Sequence, residues 1–200
     1  MQKKSDRFED YFRHLNKLSF SGWLYHRLYK LPVLYFILRR FGPSLIEVGS
    51  GIGNGVLGAF SSNMTGIDIN PKAVEYCRKI GLNVQFINEN GIYPFNDGEF
   101  DACLLDNVLE HIEDPKSTLD ECSRITSPNG GLVVVVPGIA GFKFDQDHKV
   151  FYDEAKLRRL DDRWVLISLF SIPFLIRDIR ISKTLRQYCL VAVYKKATLA

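Results

Sequence analysis

Short apolar runs alternate with amphipathic segments between Pro43 and Leu160, and this alternation constrains the fold more than any other feature. Such a pattern is typical of an α/β domain with a largely parallel sheet. The run LVVVV is apolar on both faces, as a central parallel strand requires. Strands are predicted at 44–48, 64–68, 83–88, 100–105 and 131–136. Helices are predicted at 53–61, 71–80, 115–125 and 153–160, with Asn70 as the N-cap of the second.

A glycine-rich turn, LIEVGSGIGNG, follows the first predicted strand. Gly49, Gly51 and Gly53 let the backbone pass close to a ligand, and they permit positive φ. The pattern GxGxxG also occurs, beginning at Gly53, and would suggest a dinucleotide. That glycine comes five residues after Val48, however, whereas the dinucleotide motif begins where the strand ends. A tight turn without a ligand is the remaining alternative.

Two carboxylates narrow the choice of ligand. Glu47 lies just before the turn, where its charge would repel a pyrophosphate but attract the ammonium and sulfonium groups of S-adenosylmethionine. Asp68 ends the second predicted strand, where a carboxylate can accept hydrogen bonds from both ribose hydroxyls. An aspartate at that place can also cap a helix, but Asn70 already suits that role. The pair favours an adenosyl cofactor.

Four stretches, taken in order, resemble the class I S-adenosylmethionine-dependent methyltransferases, in particular the methyltransferase type 11 branch. They are IEVGSGIGNG, TGIDINPKAVEYCR, IYPFNDGEFDACLLDNVLEHIEDP and the Gly130–Gly131 turn into LVVVVP. The resemblance covers residues 44–160. It implies a Rossmann-like, seven-stranded, mostly parallel sheet over residues 42–200, preceded by an N-terminal helical cap over 1–41. An antiparallel hairpin of 164–170 and 186–194 should close the sheet, although the segment between them departs from the family.

The resemblance also implies S-adenosylmethionine as cofactor and S-adenosylhomocysteine as product. The residues expected to line the methionine and ribose end are Glu47, Gly49, Ser50, Gly51 and Gly53. Asp68 is expected to bind the ribose hydroxyls, and Ile69 to pack on the adenine. Glu89 stands where the family commonly has an aspartate bound to the adenine amino group, and Asn90 offers a neighbouring contact. Asp106 and Asn107 follow the fourth strand, where the family's loop passes both cofactor and acceptor.

The segment GIAGFKFDQDHKVFYDEAKL is the best source of acceptor contacts. His148 is the candidate base, Tyr152 a positioning group, and Asp106 the third candidate catalytic residue. Alternatively, His148 only ties the loop to the following helix. Glu110 and His111 are interpreted as fixing the loop after the fourth strand, and catalysis by His111 is the less favoured alternative. A metal is not expected, since no second ligand stands at helical spacing to His111.

These features favour an O-methyltransferase acting on a small-molecule, sugar-containing or lipid-linked acceptor. The [DN]PPY tetrapeptide of amino-group methyltransferases and the Pro-Cys pair of pyrimidine carbon-5 enzymes do not occur. Nucleic acid is therefore not the expected partner, although an RNA methyltransferase is an alternative. A non-catalytic cofactor-binding subunit of another methyltransferase is a further alternative.

The first 41 residues form a basic, aromatic segment. They hold nine Lys and Arg against three Asp and Glu, a charge of +6, whereas the remainder carries −3. Membrane-surface contact through Trp23, Tyr25 and Phe36 is one interpretation, and packing on the body is the favoured one. No apolar run reaches the length of a membrane span, and four scattered cysteines favour free thiols, so a cytoplasmic location is expected, with peripheral attachment at the inner membrane surface as its variant.

Overall fold

The computed structural model describes residues 24–88, 90–174 and 177–197, and within them seven strands form one sheet. The strands are β1 (Leu45–Val48), β2 (Met64–Asp68), β3 (Val84–Phe86), β4 (Phe100–Asp106), β5 (Thr126–Pro137), β6 (Trp164–Ile172) and β7 (Cys189–Lys196). Their order across the sheet is β3-β2-β1-β4-β5-β7-β6. Neighbours from β3 to β5 pair in parallel, and β7 runs antiparallel to both β5 and β6. The predicted Rossmann-like sheet and its antiparallel closing pair are confirmed.

Seven α-helices of the described residues surround or flank the sheet. They are α1 (Leu31–Arg39), α2 (Val56–Ala59), α3 (Pro71–Lys79), α4 (Lys116–Ile125), α5 (Ile139–Phe144), α6 (Glu154–Arg158) and α7 (Ile179–Thr184). A five-residue π-helix, His26–Lys30, runs directly into α1, and a 3-10 turn, Leu109–His111, follows β4. Helices α5 and α7 were not predicted, and α2 is shorter than predicted because the glycine turn extends to Gly55.

Local sequence explains where the helices begin. The predicted N-cap of α3 is confirmed: Asn70 Oδ1 accepts hydrogen bonds from the amides of Lys72, at 3.0 Å, and Ala73, at 3.3 Å. Asp153 caps α6 in the same way, accepting from the amide of Lys156 at 2.8 Å. Each cap satisfies amides that have no partner inside the helix.

The sheet buries side chains on both faces. Successive valines of β5 alternate between the two cores: Val134 and Val136 contribute to one, Val133 and Val135 to the other. Helix α4 covers the first face and α1 the second. Leu31, Leu34 and Leu38 of α1 are almost fully buried, and each contributes about 1.5–3 kcal/mol relative to an exposed leucine.

Part of the basic N-terminal segment is therefore packed on the body. Residues 24–39 are helical and end in the buried leucines of α1. The predicted helical positions before residue 24, including Trp23, lie outside the described residues. The four cysteines are free and buried, as predicted. Within the described ranges, no helix has the length and apolar character needed to cross a membrane.

Candidate functional site

A cavity of about 540 Å³ opens at the carboxyl ends of β1 and β4, and its volume is typical of a small-molecule site. The sheet order changes direction between these two strands, so their following loops diverge and leave a crevice. The lining residues come from five segments of the chain: Tyr25, His26, Lys30, Glu47, Gly49, Ser50, Gly51, Asn54, Gly55, Asp106, Asn107, His111, Pro137, Gly141, Phe144, Asp145, His148, Arg186, Gln187 and Cys189.

The glycine turn after β1 has the backbone that its sequence predicts. Gly49, Gly51 and Gly53 have φ angles of 73°, 52° and 74°, which favour glycine. At Gly49 a Cβ atom would lie 2.6 Å from Cγ2 of Val108, so a side chain would also collide with the loop after β4. The absence of a side chain at Gly49 therefore lets the turn pack closely against the loop after β4.

Asp68 holds this turn in place. Its Oδ2 accepts a hydrogen bond from the amide of Gly51, and its Oδ1 accepts one from the amide of Asn70, both at 2.7 Å. Burial raises the pKa of this carboxyl, and the two amides act in the opposite direction. Asp68 therefore fixes the end of β2 to the glycine turn, and its predicted contact with ribose stays a prediction.

Glu47 places a second carboxyl at the cavity wall, where it is only 4% exposed. Its Oε2 accepts a hydrogen bond from the amide of Leu57 at 2.7 Å, at the start of α2. A Cβ atom on Gly55 would overlap Oε1, so the glycine makes room for this carboxyl. Burial raises the pKa of Glu47 to about 7. A cationic group in the cavity would offset the cost of burying its charge.

Asp106 and Lys30 form a buried ion pair beside the same cavity. Lys30 Nζ donates to Asp106 Oδ1 at 2.7 Å, and the two side chains are 5% and 7% exposed. Burial opposes the lysine's charge, but the neighbouring carboxylate outweighs it and raises the pKa of Lys30. Asn107 has a φ of 55°, uncommon outside glycine, and its side-chain amide donates to Asp106 at 3.2 Å. Lys30 was not predicted, because it is one of nine basic residues in the first 41 and nothing in the sequence distinguishes it from the others.

His111 and His148 meet at the cavity although 37 positions separate them. Their ring centroids are 4.7 Å apart, and Nδ1 of each ring lies within hydrogen-bond distance of a backbone carbonyl. The partner of His111 is the carbonyl of Asp147, at 3.3 Å, and that of His148 is the carbonyl of Phe142, at 2.9 Å. The predicted acceptor segment thus folds against the turn after β4.

Glu110 lies beside these rings. Its side chain is 1% exposed, and Oε1 is 3.8 Å from Nε2 of His148. Burial raises the pKa of Glu110 to about 8. No metal was expected at His111, because no second ligand stands at helical spacing to it in the sequence. In the fold, Glu110 comes from the same turn and His148 from a distant loop.

The other predicted site residues, and Asp68 as well, do not line the cavity. Gly53 belongs to the turn, Ile69 is 68% exposed beside Asp68, and Asn90 Oδ1 accepts from the amide of Ile92 at 3.4 Å. Tyr152 is buried in the hydrophobic core on the α4 side of the sheet and is not among the residues that line the cavity, so its predicted role beside the acceptor has no support in the fold. Glu89 lies outside the described residues.

Side chains from both flanks of the chain complete the cavity. Tyr25, considered for membrane contact, lines it instead, and its hydroxyl is buried. Arg186 is the basic residue of the 171–186 region that reaches the cavity, with its guanidinium 3.1 Å from the centroid of the Phe144 ring. By contrast, Arg177 pairs with Glu154 at 2.6 Å.

Comparison with known proteins agrees with this geometry. Residues 46–134 match the family model described as a methyltransferase domain. Over that stretch the chain is similar to a methyltransferase domain, in agreement with the fold and with the motifs after β1, β2 and β4.

Individual relatives are similar over part of the chain. The ubiquinone biosynthesis O-methyltransferase of Methylococcus capsulatus is 32% identical over 97 residues, 44% of this chain and 41% of that protein. The demethylmenaquinone methyltransferase of Tropheryma whipplei is 32% identical over 98 residues, 46% of this chain and 41% of that protein. The matches span less than half the length of such curated relatives.

A solved structure extends the likeness to nearly the whole fold. The crystal structure of an S-adenosylmethionine-dependent methyltransferase from Thermotoga maritima has a TM-score of 0.71 and 16% identity. It covers 98% of this chain and 100% of its own. At that identity the likeness concerns the fold alone.

The residues around the glycine turn fit S-adenosylmethionine. Glu47 offers a buried carboxylate to a cationic ligand, and Gly49 and Gly51 place the backbone of the turn at the cavity wall without side chains. Ser50 has a buried hydroxyl without a hydrogen-bond partner among the described residues, so a polar ligand group could satisfy it.

Proposed function

We propose that this protein transfers a methyl group from S-adenosylmethionine to an oxygen atom of a small-molecule, sugar-containing or lipid-linked acceptor. The observation that supports this most directly is that one cavity is lined both by the glycine turn and by His111 and His148. A methyl donor bound at the turn and an acceptor hydroxyl bound beside the histidines would then lie in the same cavity. Curated relatives named for ubiquinone and demethylmenaquinone support an acceptor of the quinone class.

S-adenosylmethionine, when bound, supplies a methyl group activated by a sulfonium. Glu47 would pair with its ammonium, and the amides of the glycine turn would border the methionine portion. Asp68 would hold the turn and accept from the ribose hydroxyls. Fixing donor and acceptor in line can supply about 7–11 kcal/mol of the barrier, so positioning is the main task of these residues.

His148 is the proposed proton acceptor. Its Nδ1 faces the carbonyl of Phe142 at 2.9 Å, which places the ring hydrogen on Nδ1 and the lone pair on Nε2. The O–H bond of the acceptor breaks and its proton moves to Nε2. The oxygen forms a bond to the methyl carbon, and the carbon–sulfur bond breaks with its electron pair left on sulfur. A base so placed contributes about 10²–10⁴-fold.

Asp106 would help to orient the acceptor in the same cavity. Its carboxylate is held by Lys30 and Asn107, which fixes its direction. Phe144 and Tyr25 add aromatic surface for a ring, and Arg186 adds a positive charge at the same wall. Tyr152, buried in the core, would act only by supporting the loop that holds His148.

The test is a product assay. The wild-type protein is incubated with S-adenosylmethionine and each of a set of hydroquinones, sugar nucleotides and lipid-linked sugars, and S-adenosylhomocysteine release is measured. We expect release with a hydroxyl acceptor and an O-methyl product by mass spectrometry. Binding of S-adenosylhomocysteine without turnover of any acceptor would contradict catalysis and favour a non-catalytic subunit. A product methylated on carbon or nitrogen would contradict the oxygen acceptor.

A further inference from the structure

Glu110, His111 and His148 bring three potential metal-ligand atoms within 4.8 Å of one another. Glu110 and His111 belong to the 3-10 turn after β4, and His148 to the loop after α5. The carbonyl of Glu110 accepts hydrogen bonds from the amides of Lys149, at 2.7 Å, and Val150, at 3.1 Å. These backbone bonds tie the loop to the turn, so the three side chains are held together by the fold.

The carboxylate of Glu110 is the first sign of a missing partner. It is almost fully buried, and neither of its oxygens has a hydrogen-bond partner in another of the described residues. A buried polar group without a partner is costly and uncommon, and a buried carboxylate is normally paired or bound to a metal. Its nearest basic atom, Nε2 of His148 at 3.8 Å, is beyond hydrogen-bond distance.

The two histidine rings are the second sign. Each ring has Nδ1 near a backbone carbonyl, Asp147 for His111 and Phe142 for His148. A hydrogen on Nδ1 leaves the lone pair on Nε2. Histidines that bind metals are commonly oriented in this way, with the second ring nitrogen donating to a carbonyl or carboxylate.

From this arrangement we propose that Glu110, His111 and His148 bind one divalent transition-metal ion, such as Zn²⁺. Bonds of about 2.0–2.2 Å place ligand atoms of one ion within about 4.4 Å of each other, so small side-chain rotations suffice here. Two imidazoles and one carboxylate suit zinc or iron better than magnesium or calcium. Such a set leaves coordination positions open, and both histidines line the cavity.

This inference deepens the proposed function and rests on it for its chemical role. The acceptor's hydroxyl oxygen would occupy an open position on the ion, which would lower the hydroxyl pKa. The proton would then leave to water, and the oxygen would keep the lone pair that attacks the methyl carbon. In the metal-bound protein His148 is a ligand, and in the metal-free protein its Nε2 can accept the proton.

Metal binding is tested on the full chain, without cofactor or acceptor. We expect one equivalent of Zn²⁺, measured by competition with a chromogenic chelator, and a visible absorption band on addition of Co²⁺. Glu110→Gln, His111→Asn and His148→Asn should each weaken Zn²⁺ binding at least about 100-fold, since even outer partners of a metal site are worth 10–100-fold. His26→Asn is the matched control, a histidine of the same cavity outside the cluster, and should bind as the wild type does.

Binding of S-adenosylhomocysteine by each variant shows that it is folded. If Glu110→Gln does not fold, Zn²⁺ binding by His111→Asn and His148→Asn decides whether the cluster holds the ion. The inference is overturned by a wild type that binds no stoichiometric Zn²⁺, or by cluster variants that bind it as tightly as His26→Asn. Methyl transfer by a protein that binds no metal would overturn the metal site and leave the proposed function standing. If the protein binds one equivalent of Zn²⁺ but transfers no methyl group, the metal site stands and the proposed function is overturned.

Discussion

The two walls of the cavity are built in different ways. Residues 45–57 form the turn wall and residues 66–70 support it, and the carboxylates of both segments accept hydrogen bonds from backbone amides: Asp68 from Gly51 and Asn70, Glu47 from Leu57. The histidine wall, residues 106–111 and 138–148 with Lys30, depends on side chains from distant segments. The first wall is fixed by a local motif, whereas the second exists only when the whole domain is folded.

The largest expected effect tests the histidine wall. Lys30→Met should destabilise the protein by about 3–5 kcal/mol, because it leaves the carboxylate of Asp106 buried without its counter-charge. The measurement is urea unfolding at pH 7. Lys79→Met is the control, since Lys79 pairs with Glu75 at the surface, where solvent screening leaves an ion pair little effect on stability. Equal losses of unfolding free energy in the two variants would show that burial does not determine how much the Lys30–Asp106 pair contributes to stability.

The next effect tests the turn wall through its ligand. Asp68→Ala should weaken S-adenosylhomocysteine binding about 100-fold, or about 2.7 kcal/mol, since the turn loses a charged acceptor for two amides. Isothermal titration calorimetry measures the change. Glu75→Ala removes an exposed carboxylate from nearby α3 and should bind normally. Unchanged binding by Asp68→Ala would remove the basis for the cofactor site.

Backbone conformation gives a smaller effect on the same wall. Gly49→Ala should cost about 2 kcal/mol of unfolding free energy, from the left-handed φ and from contact with Val108. Gly81→Ala is matched in φ, at 84°, but a Cβ atom there has no neighbour within 4 Å. Gly81→Ala should therefore cost about 1 kcal/mol of unfolding free energy, from its φ alone. Identical midpoints and slopes in urea for the two variants would argue against the close approach to the loop after β4.

The smallest effect is a pH dependence of the turn wall. Because the pKa of Glu47 is raised to about 7, its carboxyl gains a proton as pH falls from 8 to 6. A neutral carboxyl cannot pair with a cationic ammonium, so S-adenosylmethionine affinity should fall by up to about tenfold over that interval. Asp106 and Lys30 are the charged neighbours of Glu47 in this part of the cavity.

Glu47→Gln is the control for that titration. It should bind more weakly at pH 8 and show little change between pH 8 and 6. A variant that keeps the wild-type pH dependence would assign the titration to another group.

The difference between the two walls also determines which parts of the structure could be predicted from the sequence. Strands β1, β2 and β4 with helices α3 and α4 were predictable, because apolar periodicity and the cap at Asn70 are local signals. Helix α5 was not, since the amide of Ile139 at its start donates to Ser182 Oγ, 43 positions away. The turn residues at the cavity were found from one contiguous motif.

The histidine wall was only partly predictable. His148 was found from its loop, but its proximity to Glu110 and His111 depends on backbone bonds from Lys149 and Val150. The Lys30–Asp106 pair joins positions 76 residues apart, and nothing near either residue identifies the other. Long-range pairing of this kind follows from topology, which periodicity and capping signals do not contain.

The Lys30–Asp106 pair also has a consequence for biosynthesis. At 5–20 residues per second, a ribosome makes Lys30 about 4–15 s before Asp106. Burying an ammonium group without its counter-charge costs several kcal/mol, so the segment that is synthesised first must wait for β4 before it can dock. Lys30 therefore takes its place beside the cavity only after a strand that is translated later has formed.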